Sequence, residues 1–143
     1  MPDDSKSQGL LDTNVLIHSL TNDANSAECR AFLRLVQAGE RRVRLEPYVV
    51  HEMSYALSRV LKHTRQEIAE ELLALTQWSG IDCDQELIPA AIIRWRDRPS
   101  VSFADALLAA EAIRSQTRVF TVNVRDFNDT GIEVPAPLSS FQP

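Results

Sequence analysis

Apolar and polar positions fall into blocks along the chain. A short apolar run, Gly9 to Leu11, stops at Asp12, Thr13 and Asn14 and resumes at Val15. It reads as a buried strand that hands a carboxylate to its C-terminal end, with a helix following. In ECRAFLRLVQAG, Phe32, Leu35 and Val36 share one helical stripe, and Gly39 suits a left-handed cap at the end of that helix. Val43 to Leu45 predicts a brief strand, and Pro47 opens the next helix, where its fixed φ and missing N–H do no harm. Wound at about 100° per residue, that helix sets Val50, Met53, Leu57, Val60 and Leu61 on one face, Glu52 on its flank and His51 nearly opposite.

Thr64 and Glu67 form a capping box for a helix from Arg65 to Trp78, with Ile68, Leu72 and Leu75 on its apolar side and Gly80 ending it. A short extended segment over Gly80 to Cys83 follows, then a helix capped by Asp84 and running through Ile93, where Pro89 demands a kink or a later start. RWRDRPS reads as a polar loop. From Val101 to Ile113 every residue except Ser102, Asp105 and Glu111 is apolar or alanine, which predicts a helix buried on most sides. The charge of Asp105 near its start must then be paired, hydrated or metal-bound. Ser102 and Asp105 also fit a capping box, a role compatible with ligation. Arg118 to Val122 reads as another buried strand, ending in Asn123, Val124, Arg125 and Asp126. Asp129 to Gly131 is a predicted turn, Ile132 to Val134 a short strand, and PAPLSSFQP an irregular tail.

This order of strands and helices predicts an α/β fold: a three-layer α/β/α arrangement with a central, mainly parallel sheet and the strand-end acids along one edge. Residues 1–8 read as a disordered leader, 9–135 as one domain and 136–143 as a C-terminal tail. A chain of 143 residues, 44% apolar and 24% charged, is an ordinary globular domain. MPDDSKSQ has no apolar signal core and no run approaches a membrane span, so a cytoplasmic location is expected. Cys29 and Cys83 stand far apart without CxxC spacing and read as core thiols, with neither a disulfide nor zinc expected. His51–Glu52 starts the zinc pattern HExxH, but Tyr55 occupies the second ligand position.

Charge narrows the choice further. A net charge of −5 argues against a protein that coats nucleic acid by bulk attraction, yet leaves room for a nuclease whose acidic pocket is neutralised by metal ions. Lys6 and Lys62 are the only lysines; Arg41, Arg42 and Arg44, then Arg94, Arg96 and Arg98, form clusters, and with Arg125 they are candidates for phosphate contact. The alternative for each cluster is a solvated turn or helix end. Asp12 and Asp126 follow strands, while Glu52 and Asp105 lie near helix starts on the same predicted edge. Four acids gathered there repel one another unless a cation joins them, and hard oxygen ligands suit Mg2+ or Mn2+. Such a site activates water and stabilises charge on a phosphodiester under in-line attack.

LDTNVLI, VVHEMSYAL, SFADALLAA and TVNVRDF, in that order, resemble the PIN-domain ribonucleases, particularly the VapC-type toxins of type II toxin–antitoxin pairs. The resemblance implies metal-dependent endoribonuclease activity, with Asp12 as central metal ligand, Asp105 as a second, and Glu52 as a ligand or water-orienting base. The fourth position stays open between Asn123, which stands where many relatives carry an acid, and Asp126. Thr13, Asn14, Thr121 and Asn123 would orient the carboxylates. It also implies an RNA substrate, a homodimer, and an antitoxin partner whose arginine enters among the acids. Two rival readings are a PIN-fold module that binds RNA or protein without cutting, and a haloacid-dehalogenase-type phosphatase. The second is weakened by Asn14, which stands where those enzymes place their general acid.

Overall fold

Three stretches of chain run side by side at the centre of the computed structural model, which describes residues 6–128 and 131–141. Val43–Arg44 (β1) pairs in parallel with Ile81–Asp82 (β2), Val43 opposite Ile81 and Arg44 opposite Asp82. On the other side of β1, a parallel bridge joins Leu10 to Arg44. There the Arg44 N–H donates to the Gly9 carbonyl at 2.8 Å and the Leu11 N–H to the Arg44 carbonyl at 3.0 Å. Helical crossovers separate these parallel segments, as an α/β fold requires. The chain is already held before Gly9: the Gln8 N–H donates to the Arg42 carbonyl at 2.8 Å, and the Ser7 hydroxyl donates to Asp82.

Gly80 makes this pairing possible. Its N–H donates to the Val36 carbonyl and its own carbonyl accepts from the Val43 N–H, both at 2.8 Å. A Cβ at this position would run into the carbonyl oxygens of Val36 and Arg41. Only a residue without a side chain lets three backbones meet this closely.

The helices follow local chemistry. They are Thr13–Ser19 (α1), Ser26–Ala38 (α2), Pro47–Arg59 (α3), Arg65–Thr76 (α4), Leu87–Asp97 (α5), Phe103–Ser115 (α6) and Val124–Phe127 (α7). Gly39 ends α2 at φ 82°, Pro47 sits at the start of α3, and both halves of the Thr64–Glu67 capping box are formed. The main core gathers Leu11, Leu16, Val36, Val50, Ile68 and Ile92 among others. A second, smaller cluster of Ala109, Ala112, Val119, Phe127 and Ile132 lies behind α6.

Several expectations are corrected. On α2, Leu33 and Val36 are buried and Leu35 is exposed, so the apolar stripe is turned from the one expected. Val60 lies past the end of α3 and is exposed. α5 begins at Leu87, which puts Pro89 in the first turn, where no intrahelical N–H is lost. It continues to Asp97, so RWRD is helix rather than loop, with Trp95 buried in the core. Leu108 and Ile113 are exposed, and α6 is less enclosed than its composition suggests.

The largest difference is at Arg118 to Val122, which forms no strand. There the Val119 N–H donates to the Glu133 carbonyl at 2.9 Å, and Arg118 pairs with Glu133 at 3.5 Å. Val119 is buried, whereas Phe120 and Val122 are exposed. The described sheet is therefore narrower than the broad central layer expected, and Ile132 to Val134 is not a strand either. The tail forms a 3-10 turn over Leu138–Phe141. The predicted turn at Asp129 and Thr130, and the first five residues of the expected leader, lie outside the described residues. Cys29 and Cys83 are free and half-buried; Cys83 packs against the main core, and burial pushes its thiol up, whereas Cys29 is not among the core residues. No helix among the described residues is long and apolar enough to cross a membrane.

Candidate functional site

The carboxyl end of the Leu10 segment turns directly into α1. Asp12 is the N-cap, with extended φ −84° and ψ 143°, but its side chain makes no capping hydrogen bond. The simplest alternative role for this carboxylate is thereby removed. Thr13, the next residue, is buried, and its Oγ1 donates to Glu52 Oε2 on α3 at 2.8 Å. A buried hydroxyl bonded to an exposed carboxylate fixes the rotamer of the carboxylate and leaves its other oxygen open.

Thr13, Asn14, Ile17, His51, Glu52 and Tyr55 line an open cavity of about 350 Å³. His51 is on the cavity side rather than turned away, and its ring stands 6.1 Å from that of Phe103 at the start of α6. Tyr55 was not foreseen. Its signal was the helical spacing from His51 that fails the zinc pattern: the same geometry that would place a ligand puts a phenol there instead. Arg59, one turn on, lies over the Tyr55 ring at 5.4 Å from its centroid. A second cavity of about 350 Å³, bordered by Leu16, Leu33, Met53, Leu57, Leu72 and Trp78, is mainly apolar, with Ser19 and Glu71 as its polar lining.

Asp105 is in the first turn of α6, where its N–H donates to the Ser102 Oγ at 3.1 Å. This is the N-cap bond expected from the sequence, and it holds the backbone of Asp105 rather than its carboxylate. Thr121, Asn123 and Asp126 form a separate group. Thr121 Oγ1 accepts from the Asn123 N–H at 2.9 Å, Asn123 is the exposed N-cap of α7, and the Asp126 carbonyl accepts from Arg94 at 3.3 Å.

Among the described residues, no group of three His, Cys, Asp or Glu side chains lies close enough to hold a metal ion. The structure thus joins Thr13 to Glu52 beside Asp12, and does not draw Asp105 or Asp126 into one cluster with them. The donor set is still that of a hard cation: carboxylate, amide and hydroxyl oxygens. Mg2+ in particular is held by one or two carboxylates, with water and phosphate oxygens completing the shell. Bare carboxylates repel until a cation joins them.

Two other strand-end acids are already engaged. Glu46 follows β1 and pairs with Arg44 at 2.6 Å. Asp84 follows β2, and its bond to Arg114 holds its carboxyl well below the usual range. The arginine clusters are largely engaged as well. Arg42 pairs with Asp82, and Arg96 holds Asp97 through two bonds at 2.8 and 3.2 Å. Arg41 and Arg42 precede β1, so they lie at the amino edge, away from Asp12 at the carboxyl edge. At about 3.3 Å per strand residue, the four residues from Arg42 to the Glu46 end separate the two edges by roughly 13 Å. Arg125 is exposed beside Asp126.

A family model described as PIN domain matches residues 9–133. No curated protein matches the chain, and no solved structure does.

Proposed function

The chain belongs to the PIN-domain family, and on that premise we propose that it is a metal-dependent endoribonuclease, the toxin of a type II toxin–antitoxin pair. PIN domains are generally nucleases that use divalent metal ions. The observation that supports the reading best is the Thr13–Glu52 bond beside the uncapped carboxylate of Asp12, in an open cavity at the carboxyl edge of the sheet. Asp12, Glu52 and Asp105 would hold Mg2+ or Mn2+, which supplies charge stabilisation at the phosphodiester and an activated water. Thr13 orients Glu52, and Asn14 offers an amide at the cavity wall. Asn123 or Asp126 would complete the site, with Arg94, Arg96, Arg98 and Arg125 as the phosphate-binding rim. RNA is the substrate, a second copy of the chain and an antitoxin are the protein partners, and the cytoplasm is the setting.

The test is cleavage of a structured RNA pool by purified protein with Mg2+ or Mn2+, beside Asp12→Asn and Asp105→Asn. Each variant is expected to lose about a hundredfold or more in rate, since metal-borne charge stabilisation is worth several kcal/mol. Equal activity of Asp12→Asn and wild type overturns the mechanism. RNA binding without cleavage by the wild type would favour the second reading, a non-cutting PIN module. Asn123, an amide where a charge is expected, supports that reading.

A further inference from the structure

Arg65, the first residue of α4, reaches across the fold to the chain that connects α5 with α6. One guanidinium nitrogen, Nη1, donates to three carbonyls: Trp95 at 2.7 Å, Val101 at 3.0 Å and Arg98 at 3.3 Å. Its plane also lies over the Trp95 ring, 4.3 Å from the centroid. Trp95 and Arg98 belong to the end of α5, whose last carbonyls have no partner within the helix. Val101 is the residue just before the Ser102 N-cap, which in turn receives the Asp105 N–H. A second line of contact starts from the same guanidinium. Trp95 meets Phe103 edge-on at 5.6 Å, and Phe103 stands beside His51, the neighbour of Glu52. Arg65 is half-buried, and burial draws its pKa below that of a free arginine; the guanidinium stays charged all the same.

We propose that Arg65 is a positioning residue for Asp105: by tying both ends of the α5–α6 connection to one guanidinium, it fixes where the start of α6 delivers its carboxylate. The ligand role of Asp105 rests on the nuclease reading; the clamp on the connection does not. A lysine cannot replace it in full, because a compact ammonium has no plane to stack on Trp95.

Two measurements on the intact chain separate the clamp from the nuclease reading. In the first, native-state hydrogen exchange of Arg65→Met is expected to speed the Val101, Asp105 and Ala106 amides by about tenfold while the α2 amides keep their rates. Unchanged rates at Val101 to Ala106, or equal acceleration throughout, overturn the clamp. Arg65→Lys, which keeps the stem and charge, gives the same readout at smaller size if the methionine variant does not fold. In the second, Mn2+ affinity is measured by electron paramagnetic resonance. Arg65→Met is expected to weaken it about tenfold, as loss of a ligand's support does, and to add no further loss on top of Asp105→Asn. Additive losses overturn positioning through Asp105. Failure of the wild type to take up Mn2+ overturns the nuclease reading and with it the ligand role of Asp105, while the exchange rates still decide the clamp.

Discussion

GLLDTN and VFTVNV read much alike, each an apolar run ending in polar residues with oxygen donors, yet the fold treats them differently. Gly9 to Leu11 is bonded to Arg44 through both its carbonyl and its N–H groups, and Leu11 is 3% exposed. In Val119 to Val122 the Val119 N–H donates to the Glu133 carbonyl, no strand is formed, and Val122 is 85% exposed. An apolar run states only what the side chains prefer; a strand also needs a neighbour in register for its amides. β1 provides that neighbour for Leu10, and β1 is itself held by the close approach at Gly80.

The sharpest way to break this contrast is at the glycine. Gly80→Ala is expected to cost about 3 kcal/mol or more, because a backbone must move to admit the methyl. Gly9→Ala, where a Cβ meets open space, should stay within about 0.5 kcal/mol of wild type. Urea denaturation of both variants checks it, and equal midpoints would mean that the close approach is not what holds the sheet.

A smaller effect compares the two halves of the candidate site. Thr13→Val keeps the shape and removes the hydroxyl bonded to Glu52, and is expected to lower Mn2+ affinity about tenfold. Asn123→Ala, on the segment without strand pairing, should change it by less than about twofold, since an exposed amide brings no charge. Titration calorimetry reads both. A larger loss for Asn123→Ala would put the dominant oxygen donor on the Thr121–Asp126 side.

The smallest effect is at the third strand end. The Arg114 guanidinium depresses the Asp84 pKa in the folded state, so the pair contributes stability in full above the ordinary carboxylate range. That contribution is lost as pH falls through the depressed folded value. Asp84→Asn removes it, and the acid limb of a stability–pH profile should become shallower below about pH 4. An unchanged limb would show that Asp84 is not held by Arg114 in solution.

What could be read from the sequence was the chemistry that acts within one turn. Pro47, Gly39, Ser102 with Asp105, and Thr64 with Glu67 all mark ends of helices where the structure has them. What could not be read depends on distant partners. RWRD continues α5 although its composition is that of a loop, because Trp95 is buried and its carbonyl is bonded to Arg65, 30 residues earlier. The site shows the same division. Asp12 and Glu52 stand out as carboxylates in suggestive places, but the bond from Thr13 to Glu52 spans 39 residues. Tyr55 enters the cavity by virtue of helix phase alone.

The Arg65 clamp also bears on how this chain can vary. Its acceptors are main-chain oxygens, which every amino acid carries, so substitutions at Pro99 and Ser100 leave them in place. An inserted or deleted residue would instead move one carbonyl out of reach of a guanidinium anchored on another helix. At the exposed Pro99 and Ser100 this connection is blind to side chain and strict about length, and its descendants should record many replacements at those two positions and few gaps.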